Sequence, residues 1–183
     1  MKNNYLKIYS NDLNVELTFE PRPPVAIKLV LVFFCLIVIT GPLLLISQAE
    51  EREQGLIFLS ALVFYAVMYF VLGRYTLWNL FGEERLIVST KAINYQHHYG
   101  FFNTPWKPEK FNKIYLAFRK THEIENQTYG KLDFVTDDEN GVHTMLYSTS
   151  IVVSEEEINE AIDKIDNLFV QENLSTFGLI HEN

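Results

Sequence analysis

The residues best suited to metal chemistry in this sequence are four histidines in its second half. His97 and His98 are adjacent, and His122 and His143 follow at wider spacing. Adjacent side chains on a strand point to opposite faces, so the first two are poorly placed to chelate one ion together. No cysteine or carboxylate stands beside the four at a spacing typical of metal ligands. We therefore expect structural or surface roles for these histidines and no metal site.

A second candidate for cation chemistry is the acidic run at residues 137–141, Asp-Asp-Glu-Asn-Gly. A calcium loop places its ligands at alternating positions and closes with a glutamate at the twelfth position. This run lacks the alternation, and its twelfth position is Ser148. The Asn140-Gly141 pair is instead typical of a tight β-hairpin turn. We expect a charged hairpin tip here.

Other catalytic patterns are missing from the sequence. It has no glycine-rich phosphate loop, and the spacing of its serines, histidines and aspartates does not identify a triad. The one cysteine, Cys35, lies inside an apolar run and predicts neither a disulfide framework nor a thiolate metal site. We expect a protein that is not an enzyme and that uses no cofactor.

The charge distribution leaves one basic segment in an acidic domain. Residues 83–183 contain nine basic and seventeen acidic side chains, a net charge of −8. Residues 107–120 alone have a net charge of +4, which leaves −12 on the rest and argues against nucleic acid as a partner. The segment either faces anionic lipid or a partner, or is a solvated strand edge. The candidate contact residues are Lys91, Lys107, Lys110, Lys113, Arg119 and Lys120.

Two long apolar runs predict membrane-spanning helices. Residues 29–46 and 55–73 contain no charged side chain. As helices they extend about 27 to 29 Å, close to the roughly 30 Å of a bilayer core. Neither run has the polar stripe of an amphipathic helix. We expect a transmembrane hairpin over residues 25–81, with helices at about 25–47 and 55–81.

The topology follows from the short linker and the flanking charges. Only residues 48–54 join the predicted helices, so the helices run antiparallel and both chain ends lie on one side. Four basic residues flank the helices on that side, whereas the linker offers only Arg52. The positive-inside rule then predicts that both termini are cytoplasmic. The residues expected at the membrane interface are Arg22, Lys28, Arg74, Tyr75, Trp78 and Phe81.

The Gly41-Pro42 pair interrupts the first predicted helix. Proline removes one backbone donor and bends a helix. A hinge is one interpretation, and a tolerated kink packed against the second helix is the other.

The remaining chain predicts a β-rich domain closed by a helix. Leu13, Val15, Leu17 and Phe19 alternate with polar residues, so the N-terminal segment 1–24 should contribute a strand to the soluble sheet. Strand patterns continue from residue 83 to about residue 153 within a domain at 82–170. Ser154 with Glu157 then forms a capping box before an apolar helical stripe. Residues 171–183 have little pattern and are expected to form a tail, although Phe177, Leu179 and Ile180 could dock.

The order of these parts resembles small bacterial membrane proteins that carry a pleckstrin-homology-like (PH-like) domain. The resemblance rests on the Leu-Trp-Asn-Leu-Phe-Gly motif at 77–82, the alternating strand and Pro-Arg element at 13–23, the Glu-Arg-Leu-Ile-Val strand at 84–88 and the Tyr-Gly-Phe-Phe turn at 99–102. It covers roughly residues 13–170. It implies a PH-like antiparallel barrel or sandwich capped by a C-terminal helix, at the cytoplasmic (inner) membrane of a bacterium. It implies no activity.

Two functions are compatible with this layout. The first is a membrane-anchored module that binds or scaffolds a protein partner, or a second copy of itself, at the cytoplasmic face. The second is a sensor of anionic lipid head groups that uses the basic segment at residues 107–120.

Overall fold

A computed structural model describes residues 5–138, 141–171 and 177–180 of the chain. Their contacts divide the chain into two units. The helical unit comprises Pro21–Gly82 together with the turn Tyr99–Phe101. The strand unit comprises the described residues before Pro21 and the other residues after Gly82.

The helical unit contains two long apolar helices. The first is α1 (Val25–Gln48). The second runs through α2 (Glu51–Met68), a π-helical turn (Tyr69–Gly73) and α3 (Arg74–Phe81). Val25–Gln48 and Arg52–Phe81 have mean hydropathies of 3.0 and 2.4, and both are long and apolar enough to cross a membrane. The prediction of two such helices is confirmed to that extent.

Three details of the helices differ from or refine the predictions. The second helix begins at Glu51 rather than near residue 55, so a charged first turn precedes its apolar run. Pro42 lies inside α1, and Tyr65 Oη donates to the Ile39 carbonyl at 2.6 Å. Pro42 leaves the carbonyl of Val38 without its helical donor, so the Tyr65 bond lies one residue beyond the freed group and ties the two helices together beside it. The π-helical turn had no sequence signal that we recognised.

The second helix ends at Phe81, as predicted, and the residue that follows it, Gly82, makes a close approach to the last turn. Its N–H donates to the Trp78 carbonyl at 2.9 Å. A Cβ atom at this position would lie 2.2 Å from that same carbonyl oxygen. Any side chain would therefore force the helix end to open.

The strand unit is built from two sheets and one helix, an α+β layout. The first sheet contains, in spatial order, β1 (Leu6–Ser10), β2 (Asn14–Phe19), β3 (Glu83–Ser89), β4 (Ala92–His98) and β5 (Lys107–Lys110), all antiparallel. The second contains β6 (Ile114–Ile124), β7 (Gln127–Asp137) and β8 (His143–Ser148), with β9 (Val153–Ser154) on β7, followed by helix α4 (Glu155–Gln171) and strand β10 (Phe177–Ile180) on β6.

The N-terminal strand lies between β1 and β3 as strand β2. Val15, Leu17 and Phe19 are fully buried, as their alternation predicted. Leu13 was expected on the same face, but it precedes the strand and is 73% exposed, because the chain turns there. Strand β1 was not predicted, and it covers the outer edge of β2.

The second sheet contains two features that the strand patterns did not reveal, a long hairpin and a C-terminal strand. Strands β6 and β7 form one long hairpin through Glu125 and Asn126, whose backbones have φ values of 50° and 64°. The expected tail at 171–183 instead includes β10, which pairs in parallel with β6. The sheet is therefore not wholly antiparallel. An open strand edge exposes unpaired backbone groups, and β10 satisfies those of β6 over four residue pairs.

The helix α4 begins with the predicted capping box. The Ser154 hydroxyl donates to Glu157 Oε2 at 2.8 Å, and the Glu157 N–H donates back to the Ser154 hydroxyl at 3.4 Å. Glu157 Oε1 also accepts the backbone N–H of Tyr5 at 2.6 Å and that of Leu6 at 3.3 Å. One carboxylate thus stabilises the start of α4 and the start of β1. The buried helix residues are Ile158, Ala161, Ile165, Leu168 and Phe169.

Candidate functional site

The basic residues singled out from the sequence lie on different strands of the two sheets. Lys107 and Lys110 lie on β5, and Arg119 and Lys120 lie on β6. Lys91 comes close to the end of β5, because the Phe111 N–H donates to the Lys91 carbonyl at 3.2 Å. Of these basic residues, only Lys91, Lys107 and Lys110 therefore lie close together, at the β5 edge of the first sheet.

Several of these cations already have partners within the strand unit. Arg119 Nε lies 2.9 Å from Asp133 Oδ2, and its Nη2 donates to the Ser148 hydroxyl at 2.7 Å. Lys120 Nζ lies 2.7 Å from Glu123 Oε2. These local acids offset the charges that were assigned to a lipid or partner contact.

The lysines of β5 are arranged as protection for a sheet edge. The strand reads Lys-Pro-Glu-Lys and pairs only with β4 among the described strands. Pro108 has no N–H to donate, and lysines at an edge disfavour pairing with another strand. Lys107 Nζ also lies 5.8 Å from the ring centroid of Tyr95. This arrangement favours the solvated-edge interpretation for Lys107 and Lys110.

Strand β8 forms the opposite kind of edge. It pairs only with β7 among the described strands, and its sequence His-Thr-Met-Leu-Tyr-Ser contains neither lysine nor proline. Met145 is 57% exposed, and Val142 just before the strand is 58% exposed. A register shift follows Met145, so the segment from His143 to Met145 is the regular part of the edge.

Three of the predicted interface residues are brought together by a turn that the sequence had not assigned to them. Arg74 Nη2 donates to the Tyr99 hydroxyl at 3.0 Å, and the Trp78 and Tyr99 ring centroids lie 5.3 Å apart. The Phe81 ring lies 5.8 Å from that of Phe101. The other predicted interface residues, Arg22, Lys28 and Tyr75, belong to the same helical unit.

The histidines make local contacts. His143 Nδ1 lies 2.7 Å from Asp137 Oδ1, and the His122 ring stacks on Tyr129 with centroids 5.4 Å apart. His97 Nε2 lies 3.3 Å from the Ser150 hydroxyl. Within the described part of the chain, no three His, Cys, Asp or Glu side chains stand together as metal ligands.

The polar group that the sequence analysis missed is Glu84. It is fully buried on the inner face of β3, in line with Leu86 and Val88. The sequence does contain an indication of this burial. Glu84 lies two residues before Leu86 and four before Val88, and residues two apart on a strand share a face. A carboxyl on an apolar face requires hydrogen-bond partners supplied by the fold.

Glu84 joins the two sheets of the strand unit. Its Oε1 accepts a hydrogen bond from the Tyr147 hydroxyl at 2.6 Å. Its Oε2 accepts the N–H of Ser150 at 2.8 Å and that of Ile151 at 3.3 Å. The Glu84 side chain on β3 thereby contacts strand β8 and the loop that follows β8.

Burial dominates the electrostatics of this group. It raises the pKa of Glu84 to about 7, despite the opposing hydrogen bonds from Tyr147, Ser150 and Ile151 and the opposing charge of Lys131. Burial and the neighbouring carboxyl also raise the pKa of the Tyr147 hydroxyl, which therefore remains a donor. A pKa near 7 places the titration of this buried carboxyl close to neutral pH.

A layer of aromatic rings lies outside this carboxyl. The Tyr147 ring stacks on Tyr95 with centroids 4.1 Å apart and planes inclined by 29°. The His97 ring meets Tyr95 edge-on at 6.5 Å. These contacts lead from the buried Glu84 to the exposed Lys107, so the interior carboxyl and the β5 edge belong to one packed cluster.

Comparison with known proteins finds no protein-family model and no curated protein that matches this chain. Its function is therefore inferred from the contacts of its own described residues.

Proposed function

We propose that this chain is a membrane-anchored module of PH-like fold that holds a protein partner, or a second copy of itself, at the cytoplasmic face of a bacterial inner membrane. Two helices of membrane-spanning length support the anchor. Two packed sheets followed by a helix support the PH-like assignment. The excess of basic residues beside the helices, outside the linker, supports the cytoplasmic orientation.

The observation that carries the proposal is the open edge of β8. An extended peptide adds to such an edge through backbone hydrogen bonds, and side chains beside it give specificity. Met145 suits this role because its flexible thioether adapts to different apolar partners. Of the edges formed by β5 and β8, the first is protected by Lys107, Pro108 and Lys110, so β8 is the one that favours strand addition.

The lipid-sensor alternative rests on Lys91, Lys107, Lys110 and Lys113, which are exposed. It is weakened by the ion pairs of Arg119 with Asp133 and of Lys120 with Glu123. The remaining lysines act against the net charge of −12 outside the basic segment. We therefore place protein binding first and lipid sensing second.

The test compares two matched substitutions in the full chain. Met145→Lys adds an edge lysine to β8, and Ile124→Lys adds one near the tip of the β6–β7 hairpin, where the side chain is 53% exposed. Each protein is purified in mild detergent from cells that also produce a differently tagged copy, and co-purifying proteins are quantified. We expect a reproducible partner, or the second copy, to be retained by Ile124→Lys and lost by Met145→Lys.

Equal retention by both variants would contradict the assignment of β8. Co-purification of anionic lipid with no reproducible protein would favour the lipid-sensor alternative.

A further inference from the structure

We propose that the Tyr99–Phe101 turn is a bilayer-interface anchor, in which Phe101 and Phe81 insert side by side into the head-group layer of the phospholipid bilayer. The occupant of this surface is lipid rather than protein. The inference concerns the helical unit and does not depend on partner binding by the β8 edge.

The turn is held on α3 by one largely buried tyrosine. Tyr99 is 8% exposed. The Arg74 guanidinium donates to its hydroxyl at 3.0 Å and lies 5.0 Å from its ring centroid, while the Trp78 ring packs against it. A hydrogen bond, a cation–π contact and an aromatic contact therefore act on the same side chain.

The same turn leaves an aromatic pair uncovered. Phe101 is 80% exposed and Phe81 is 51% exposed, and their rings meet edge-on. Large apolar side chains that lie side by side in this way are typical of a contact surface for a protein or a membrane. Tyr75 on the same helix is 56% exposed and extends the aromatic character of this end.

The position of the pair at the end of a long apolar helix favours the bilayer interface as its contact. Phe81 is the last residue of the 30-residue apolar helix Arg52–Phe81. At 1.5 Å per residue such a helix is about 45 Å long, which matches the roughly 40–45 Å of a bilayer with its head groups. The end of the helix therefore lies at head-group level, where aromatic residues of membrane proteins are enriched. Arg74 places a cation in the same end of the helix, where it suits lipid phosphate.

The turn approaches Phe81 closely at Gly100, where only a glycine fits. Its φ of +81° is a left-handed conformation, and a Cβ at this position would lie 2.6 Å from Phe81 Cβ. Gly141 has a similar φ of +77°, but no atom lies within 4 Å of the corresponding Cβ position. The two glycines therefore share the backbone requirement, and only Gly100 has the steric one.

The test measures where residue 101 lies in a membrane. Cys35, the single cysteine, is replaced by serine. Phe101→Cys is introduced in one full-length protein and Ile124→Cys, at an exposed position outside the β8 edge, in another, and each is labelled with a nitroxide. The proteins are reconstituted in vesicles of equal parts phosphatidylcholine and phosphatidylglycerol. Accessibility is then measured to oxygen, which concentrates in the bilayer, and to a nickel chelate, which stays in water.

We expect the ratio of oxygen to nickel accessibility to be several-fold higher at position 101 than at position 124. Equal nickel accessibility at the two positions would place the turn in water and overturn the proposal. Exclusion of both reagents from position 101 would mean that protein covers it, which also overturns the proposal.

A second pair of variants tests the role of the close approach. Gly100→Ala and Gly141→Ala impose the same backbone strain, but only the first creates the clash with Phe81. We expect Gly100→Ala to move the label at position 101 toward nickel accessibility and Gly141→Ala to leave it unchanged. An unchanged label in Gly100→Ala would count against the proposed packing. The spectrum of a label at position 124 in the same variant checks that a change at position 101 does not come from a disrupted strand unit.

Discussion

The Tyr147 hydroxyl donates to Glu84 Oε1 at 2.6 Å, which joins β8 of one sheet to β3 of the other inside the strand unit. The carboxyl is fully buried, and Tyr147 is 9% exposed. Burying either group without its partner costs free energy, so the pair favours one specific packing of the two sheets.

Removal of this hydroxyl should destabilise the protein. Tyr147→Phe keeps the ring that stacks on Tyr95 and deletes the only side-chain donor to Glu84 in the described part of the chain. We expect the free energy of unfolding to fall by about 1 to 3 kcal/mol. The measurement is denaturant unfolding of the full chain in detergent.

Tyr115→Phe is the matched control. The Tyr115 hydroxyl donates to Asp137 Oδ2 at 2.9 Å on a half-buried surface, where water replaces the lost bond. Its cost should stay below about 1 kcal/mol. Equal losses of unfolding free energy in the two variants would show that burial does not strengthen the contribution of the Tyr147–Glu84 hydrogen bond.

The stability of the strand unit should depend on pH through Glu84. Burial raises the pKa of this carboxyl from 4.5 to about 7. The folded state therefore binds a proton that the unfolded state releases between these values, and stability falls as pH rises through that range. The difference corresponds to about 3 kcal/mol at most. Unfolding of the full chain from pH 4.5 to pH 8 measures the slope.

Glu84→Gln isolates this contribution. The amide does not titrate, so we expect the fall in stability between pH 4.5 and pH 7 to be smaller than in the parent protein. The amide oxygen can accept the N–H groups of Ser150 and Ile151 while its NH2 group donates to the Tyr147 hydroxyl oxygen, as a protonated carboxyl would, so the variant should come closest to the parent in stability at low pH. Glu16→Gln, on the exposed face of β2, is the control and should keep the parent slope. A parent protein without the slope would contradict the raised pKa.

The parts of the fold that the sequence predicts are those with a sustained hydrophobic period. The two apolar helices, strand β2 and the stripe on α4 each repeat a simple pattern over many residues. The capping box was also predictable, because Ser154 and Glu157 are close in sequence and their bonds are local.

The missed features depend on contacts between distant parts of the chain. Glu84 interrupts an apolar alternation with a charge, and its partner Tyr147 lies sixty-three positions away. Strand β10 is stabilised by an edge of β6 that no local pattern reveals. The basic segment appeared continuous in sequence, but folding divides it between β5 and β6 and pairs Arg119 with Asp133.

The carboxylate of Glu157 should stabilise two elements together. It caps α4 and accepts backbone N–H groups from Tyr5 and Leu6. Glu157→Ala removes these acceptors, and we expect a loss of about 1 to 3 kcal/mol. Hydrogen exchange should also show faster opening at Tyr5 and Leu6. Glu160→Ala, at an exposed position of the same helix, should change neither measurement by much.

The proposed orientation predicts the response of a reporter enzyme that is active only outside the cytoplasm. Fused after Asn183, it should remain silent, because basic residues beside the helices keep that side in the cytoplasm. Inserted in the linker at Ala49, it should be active. Strong activity after Asn183 would reverse the topology and remove the cytoplasmic part of the proposed function.

The last prediction concerns the lysines of the basic segment. Each lysine near an anionic surface contributes about 1 kcal/mol, so Lys107, Lys110 and Lys113 together contribute about 3 kcal/mol at most. The −12 charge on the rest of the domain opposes the same surface. We therefore expect Lys→Glu changes at all three positions to leave membrane insertion and the amount of co-purified anionic lipid nearly unchanged.

The measurement uses the full chain in mild detergent at low and physiological salt, with bound lipids quantified per protein. The matching triple Lys→Gln variant removes the charges without adding repulsion, so it separates lost attraction from new repulsion. Salt screens exposed charges over about 8 to 10 Å, and a lipid contact made by these lysines must weaken as salt increases. If the parent protein retains anionic lipid in a salt-sensitive way and both triple variants lose it, head-group sensing is the better assignment for this segment.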